Sequence, residues 1–164
     1  MDMTEEIERK FLVNELPPIQ ENYPVMTLVQ GYLPLEGNQN SLELRVRKRL
    51  KDEEETYFLS TKSGKGLQRS ETEIIVPKNV YDLLFPLTEG RRIEKMRYLI
   101  LYGEEDTIEL DVYSGSLEGL IVAEVEFGSV EESKTFVIPS WFGEEVTQDS
   151  GYKNKNLAIK GLPK

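Results

Sequence analysis

The sequence predicts an α+β fold that is mostly β, arranged as an antiparallel sheet or barrel. Short strand-like runs recur about eight times along the chain, separated by turn residues. Only three segments show the apolar spacing of a helix, and all are short. Many short strands joined mostly by short turns are typical of antiparallel sheets and barrels. The 164 residues are enough for a domain with a hydrophobic core, expected to span 1–164.

Strands are predicted where apolar and polar residues alternate between turn signals. The expected strands are 4–13, 26–33, 42–50, 55–63, 69–76, 92–102, 106–113 and 120–127. Hairpin turns are expected at two glycine-containing sequences, SGKG (63–66) and YGEED (102–106).

Three short helices are predicted between and after the strands. Segment 77–90 begins with proline and carries apolar residues at helical spacing. Segment 129–138 has Ser129 as a candidate N-cap. Segment 154–161 is expected to form a terminal helix that ends at its glycine.

The composition limits the chemistry that the protein can perform. The chain is 38% hydrophobic and 30% charged, which is typical of globular proteins. It has no Cys and no His, which removes thiolates, the usual zinc ligands and the usual general base. A bound metal would need oxygen ligands, which favours magnesium, manganese or calcium. The sequence shows no membrane-spanning run and no signal-peptide pattern, so we expect a cytoplasmic protein.

The charge balance argues against broad polyanion binding. The net charge is -10 and the pI is about 4.7. Binding to nucleic acid or to an anionic membrane depends on neutralising phosphates, so we expect neither partner. A small polyanion in a locally basic pocket that also holds metal is compatible with this balance.

The first strand places charges of both signs on one face. In TEEIERKFLV (4–13), Glu6, Glu8 and Lys10 occupy every second position. Ile7, Phe11 and Val13 take the other phase, which Arg9 interrupts. Because side chains alternate across a strand, the two carboxylates and the ammonium group share one side.

At least five other strands repeat this division into a charged and an apolar face. Their in-phase charges are Glu43, Arg45, Arg47 and Arg49; Arg69, Glu71 and Glu73; Arg91, Lys95 and Arg97; Glu109 and Asp111; and Glu124 and Glu126. Lys62 is the single charge in YFLSTKS (57–63). The charged faces contain few uncharged polar residues, and cations and anions lie mainly on different strands.

Two interpretations fit this pattern. The ordinary one is a sheet with one face on the core and the other in water. The alternative is a closed barrel with its charged face inward, since a barrel of about eight strands can hold a small ligand. Crowded carboxylates would then need a divalent cation, and crowded Arg and Lys side chains would need a polyphosphate. The segregation of charge signs favours the barrel.

An ordered set of motifs resembles a known family. EIERK (6–10) is similar to the ExExK signature of the CYTH superfamily, the triphosphate tunnel metalloenzymes. Other motifs follow in the order expected of its short bacterial members: QGYL (30–33), LRVRK (44–48), TKSGKGLQRSETE (61–73), EGRRIEKMRY (89–98), ELDVY (109–113), EVEF (124–127) and WFGEEVTQDSGYKNKNLA (141–158). The resemblance covers nearly the whole chain.

The resemblance implies a closed antiparallel tunnel of eight strands, built from two β-α-β-β-β halves, and hydrolysis of a triphosphate. The implied catalytic residues are Glu6, Glu8 and Lys10. The implied metal ligands are Glu6, Glu8, Asp111, Glu124 and Glu126, with Glu109 beside them. The implied triphosphate ligands are Lys10, Arg45, Arg47, Lys62, Arg69, Lys95 and Arg97. The expected cofactors are Mg²⁺ or Mn²⁺, with two ions in the active complex. Calcium is expected to occupy the site without supporting turnover.

Several functions remain open at this stage. Inorganic triphosphate is the preferred small-molecule substrate, because no cluster for an organic group is evident on the cationic strands. The alternatives are an adenylate cyclase, a thiamine or nucleoside triphosphatase, and a polyphosphate-binding module without turnover. Gly151 stands before Tyr152 where several relatives have a basic residue, so Lys153 or Lys155 is the candidate replacement. The oligomeric state is open, with a homodimer among the options.

Overall fold

The structure is a computed structural model that describes residues 3–36 and 42–164. Eight antiparallel strands close into a barrel in the order β1-β5-β4-β3-β2-β6-β7-β8. The strands are β1 (Thr4–Leu12), β2 (Val25–Tyr32), β3 (Leu42–Lys51), β4 (Glu54–Lys65), β5 (Gln68–Val76), β6 (Arg92–Tyr102), β7 (Asp106–Tyr113) and β8 (Ile121–Phe127). The predicted closed antiparallel barrel is therefore confirmed, and each of its strands matches a predicted run.

All three predicted helices are present, although two are shorter than expected. They are α1 (Lys78–Leu84), α2 (Val130–Thr135) and α3 (Asn154–Lys160). A 3₁₀ turn continues from α1, where Pro86 cannot donate an α-helical hydrogen bond. Ser129 caps α2, and its hydroxyl accepts a hydrogen bond of 3.1 Å from the Glu132 amide. None of the helices in residues 3–36 and 42–164 has the length and apolar character needed to cross a membrane.

Two expectations about the connections need correction. The β4–β5 turn lies at positions 66 and 67 instead of 63–66, because Gly64 still pairs with Arg69 in the ladder. The β-α-β-β-β order holds for β5-α1-β6-β7-β8, but the described connection from β1 to β2 contains no helix. Pro17, Pro18 and Pro24 explain this, since proline disrupts helix interiors and disfavours helical backbone in the preceding residue.

The hydrophobic core lies mainly outside the barrel wall. One cluster covers β7 and β8, where Ile108 and Val125 pack near Phe136. A second cluster places Tyr81 of α1 against β3, β4 and β5. A third closes one end of the barrel and includes Leu157 of α3. Because the apolar phase of the strands packs outward, their charged phase is left to line the interior.

Candidate active site

A polar cavity of about 200 Å³ lies inside the barrel. Every side chain that lines it is charged except Asn154. The lining residues are Glu6, Arg45, Arg47, Lys62, Glu71, Glu73, Arg97, Glu109, Glu124, Glu126 and Asn154. The period-2 alternation places them there, because each charged residue occupies the inward phase of its strand.

The strand order gathers the charges into two arcs. The cation-bearing strands β4, β3 and β6 are neighbours through β2, whose inward-facing Gln30 is uncharged. The strands β7, β8 and β1 are also neighbours, and they carry most of the carboxylates. The cavity therefore has a basic wall and an acidic wall, although cross-strand ion pairs connect them.

Three carboxylates converge on the acidic wall. The ligand oxygens of Glu6, Glu8 and Glu126 all lie within 4.8 Å of one another. The register explains this group, since Glu8 of β1 lies directly opposite Glu126 of β8. Carboxylate oxygens are the donors that hard divalent cations prefer, so this set fits such a cation.

The pKa values of these carboxyls reflect their crowding. Burial and the carboxylate of Glu124 raise the pKa of Glu8 to about 7. Partial burial and hydrogen bonding with Glu6 raise the pKa of Glu126 to about 9. Burial also disfavours the charged form of Glu6, but the Lys62 ammonium and hydrogen bonding outweigh it and keep that pKa below its usual value. The group therefore retains protons at neutral pH that a bound cation would displace.

Glu124 belongs to a different set of contacts. It faces Lys10 across the β1–β8 ladder, and Lys10 Nζ lies 3.2 Å from Glu124 Oε1. Arg97 Nη2 lies 3.8 Å from its other oxygen. Burial opposes ionisation of Glu124, but Lys10 and nearby cations hold its pKa below the ordinary value. Glu124 is thus ionised, and it connects the acidic wall to Lys10 and Arg97.

Asp111 is held by two cations of the neighbouring strand. Lys95 Nζ lies 2.5 Å from Asp111 Oδ2, and both side chains are fully buried. Arg97 adds a bond of 2.7 Å from Nε to Asp111 Oδ1, and it also pairs with Glu109. Burial opposes ionisation of Asp111, but Arg97 and Lys95 lower its pKa below the usual value. This geometry favours Asp111 as the residue that orients Lys95 and Arg97.

The basic wall presents Arg45, Arg47 and Lys62 to the cavity. Arg45 Nη2 lies 3.3 Å from carboxylate oxygens of both Glu71 and Glu73. Burial, Arg45 and Arg97 together lower the pKa of Arg47 to about 10. The share of the shift due to Arg45 and Arg97 reflects cations crowded together, as expected at an anion site.

Arg69 and Lys153 lie apart from the main cavity. Together with Glu8 and Lys10 they line a separate cavity of about 20 Å³. Arg69 Nη2 lies 2.9 Å from Glu43 Oε1, and Lys153 Nζ donates to the Gly64 carbonyl over 3.2 Å. Arg69 is therefore not among the residues that line the main cavity.

The C-terminal segment covers one end of the barrel. Asn154 at the start of α3 reaches the main cavity and accepts a hydrogen bond of 2.6 Å from the Tyr113 hydroxyl. Lys155 Nζ donates to the Leu42 carbonyl over 3.1 Å. Neither Lys153 nor Lys155 lines the main cavity, so the polar residue that this segment contributes there is Asn154.

Two polar residues at the site were not identified from the sequence. Gln30 is fully buried, and its Oε1 accepts a bond of 3.0 Å from Arg47 Nε. It orients one of the predicted triphosphate ligands. A polar residue in the mostly apolar strand 26–33 was the available signal for Gln30. For Asn154 the helical pattern gave no indication of an inward direction.

Curated relatives match almost the full length of the chain. An inorganic triphosphatase from Nitrosomonas europaea is 44% identical over 154 residues, which cover 94% of this chain and 97% of the relative. An inorganic triphosphatase from Acetivibrio thermocellus is 32% identical over 161 residues, covering 94% of both chains. No protein-family model matches the chain.

A solved structure of an inorganic triphosphatase has the same fold as this chain. The crystal structure of an inorganic triphosphatase superposes with a TM-score of 0.68 and 41% identity. The match covers 96% of this chain and 97% of the other. The chain therefore belongs to the family of these inorganic triphosphatases, as its resemblance to the triphosphate tunnel metalloenzymes predicted.

Proposed function

We propose that the protein hydrolyses inorganic triphosphate to diphosphate and phosphate inside the barrel, with Mg²⁺ or Mn²⁺ as cofactor. One observation carries this proposal: a cavity of about 200 Å³ sets a wall of Arg and Lys side chains against Glu6 and Glu126, whose carboxylates group with that of Glu8. The inorganic triphosphatase relatives support the same activity.

The basic wall would bind the triphosphate. Arg45, Arg47 and Arg97 each offer a planar fork that can donate two hydrogen bonds to phosphate oxygens, and Lys62 adds a point charge. These contacts would strengthen as charge shifts toward the leaving oxygen, which stabilises the transition state. Lys95 is fully buried against Asp111, and Asp111 also binds Arg97. Lys95 would therefore act mainly by holding Asp111, which in turn fixes Arg97.

Glu6, Glu8 and Glu126 would hold the metal. When bound there, a divalent ion would lower the pKa of the attacking water and offset phosphate charge. In the reaction, the water oxygen attacks the terminal phosphorus, the bond to the bridging oxygen breaks, and diphosphate leaves. Because the chain has no His, the released proton would pass to a carboxylate, either Glu6 or Glu8.

The cavity lining favours the inorganic substrate over organic triphosphates. No aromatic or aliphatic side chain is among the described residues that line it. An adenine or thiazole ring would therefore gain no stacking contact beside the bound phosphates. The cyclase and thiamine triphosphatase alternatives lack a ring pocket here, and a binding module without turnover would not need the three grouped carboxylates.

The test is phosphate release from inorganic triphosphate, ATP and thiamine triphosphate in parallel, each with Mg²⁺, Mn²⁺ or Ca²⁺. We expect fast release from inorganic triphosphate with Mg²⁺ or Mn²⁺, and little with Ca²⁺. Thermal stabilisation by triphosphate without release under any condition would identify a binding module. Formation of a cyclic product from ATP would identify a cyclase.

A further inference from the structure

A second concentration of positive charge lies outside the barrel, in a groove of about 650 Å³ beside α3. Five cationic side chains line it: Lys65, Arg91, Lys153, Lys155 and Lys160. They represent five of the 20 Lys and Arg residues in a chain whose net charge is -10. No carboxylate is found among the described residues that line this basic groove.

The cations of the basic groove are positioned without being neutralised. Arg91, Lys153 and Lys155 each donate to a backbone carbonyl, over 3.1 to 3.2 Å. Within residues 3–36 and 42–164, none of the five cations forms an ion pair with a carboxylate. Like charges gathered in this way repel unless an anion offsets them.

The remaining lining of the basic groove suits an oxygen-rich ligand. Thr147, Gln148, Ser150 and Asn156 add hydroxyl and amide groups, and the apolar contribution is limited to Leu35 and Ile159. Hydroxyl and amide donors beside Lys and Arg are the groups that bind phosphate oxygens.

A buried arginine with spare donors lies behind the basic groove. Gly66, Thr147 and Lys153 line both the groove and the 20 Å³ cavity that contains Arg69. Arg69 is only 8% exposed, and its Nε makes no hydrogen bond. Burial and the nearby Arg69 lower the pKa of Lys153. The junction therefore offers donors that the protein itself leaves unused.

We propose that the basic groove is a second anion site, outside the barrel, for inorganic oligophosphate such as diphosphate or triphosphate. The site differs from the cavity of the proposed function because it contains no grouped carboxylates. Binding in the basic groove therefore needs no divalent metal, and it does not depend on whether the barrel hydrolyses anything.

The test is calorimetric titration of inorganic triphosphate into the protein in EDTA, where turnover is prevented. The groove variant is Lys65→Gln/Lys160→Gln, and the matched control is Lys78→Gln/Lys134→Gln. Lys78 and Lys134 are both 63% exposed and pair with surface carboxylates. The two double variants change net charge equally. A third variant, Arg47→Gln, weakens the cavity and leaves the basic groove intact.

We expect two binding events in the wild-type protein and in the control. The groove variant should weaken one event on the order of tenfold, since two of five cationic contacts are lost. Arg47→Gln should weaken only the other event. Its hydrolysis with Mg²⁺ should fall, whereas the groove variant should keep its hydrolysis.

Three results would overturn the basic groove as an oligophosphate site. One is a single binding event in the wild-type protein that Arg47→Gln weakens. Another is equal binding by the groove variant and the matched control. The third is tight binding of a short single-stranded oligonucleotide that triphosphate cannot displace, which would assign the basic groove to nucleic acid.

Discussion

Lys62 Nζ lies 2.8 Å from Glu6 Oε2 and 3.7 Å from Glu71 Oε2. A cation of the basic wall thus contacts a carboxylate of the proposed metal group. When triphosphate binds, its oxygens can replace Glu6 as the partner of Lys62. When metal binds, the ion can replace Lys62 as the partner of Glu6. Each ligand would then release the residue that the other one needs, so metal and triphosphate should strengthen each other's binding.

Lys62→Gln tests this exchange. Without anion, the variant should bind Mg²⁺ more tightly than the wild-type protein, because the competing ammonium is gone. Its affinity for triphosphate should fall about tenfold or more, because a charged phosphate contact is lost. Titration calorimetry measures both quantities. Lys48→Gln, which removes a half-exposed cation beside Glu55, is the control and should change neither. Weaker Mg²⁺ binding by Lys62→Gln would contradict the exchange.

Asp111→Asn separates a positioning role from a metal-binding role. The substitution would leave fully buried Lys95 without its carboxylate partner, and we expect a loss of about 3–5 kcal/mol in the free energy of unfolding. Urea unfolding measures this loss. Asp82→Asn, in an exposed pair with Lys78, should cost less than about 1 kcal/mol. If Asp111→Asn keeps its stability but loses Mg²⁺ affinity, Asp111 is a metal ligand instead.

The raised carboxyl pKa values predict how stability depends on pH in the metal-free protein. Glu8 and Glu126 have pKa values of about 7 and 9 when folded, against 4.5 as the ordinary value. Between pH 4.5 and 9 the folded chain therefore holds protons that the unfolded chain has released. Stability from these groups is present below pH 4.5 and declines as pH rises through 7 toward 9.

Thermal melts in EDTA at pH 6, 7.5 and 9 measure this decline. Glu8→Gln should flatten the plot of melting temperature against pH below about pH 7, because the glutamine amide cannot titrate. Added Mg²⁺ should raise the melting temperature most at pH 9, where binding displaces the fewest protons. A metal-free protein that becomes more stable as pH rises would contradict the crowding of these carboxyls.

The β3–β4 hairpin turn offers a stabilising substitution far from the site. Asp52 and Glu53 both adopt left-handed backbone, with φ of 50° and 65°. Asn-Gly is the preferred pair in such a two-residue turn, so Asp52→Asn/Glu53→Gly should stabilise the protein by about 1 kcal/mol. Urea unfolding measures the change. Glu105→Gly, in a turn where only Gly103 has positive φ, should give no gain.

The alternation of residues was sufficient to predict the strands and most of their inward-facing charges, although Arg91 lies in the basic groove instead. Glu6, Glu8 and Lys10 were placed on one face from spacing alone, and the apolar phase identified the outer core. Side-chain period is a local property, so a single sequence contains it. The resemblance then supplied the closure of the barrel, which alternation alone left open.

Cross-strand partners could not be predicted in the same way. Which residue faces Glu8 depends on the β1–β8 register, between positions more than 100 residues apart. The sequence therefore predicted acidic strands but not that Glu124 would face Lys10. Asp111 had the same pattern as the other carboxylates, and only the pairing of β6 with β7 reveals its bonds to Lys95 and Arg97.

The most direct measurement is the rate of phosphate release from inorganic triphosphate with Mg²⁺ by wild-type protein, Glu8→Gln and Glu5→Gln. Glu5 lies on the same strand but in the opposite phase, and it accepts a hydrogen bond from Gln68. We expect Glu8→Gln to lose on the order of 10³-fold in rate, comparable to removing a transition-state contact, while its barrel stays folded. Glu5→Gln should retain the wild-type rate. Full activity in a folded Glu8→Gln variant would contradict the claim that the grouped carboxylates carry the reaction.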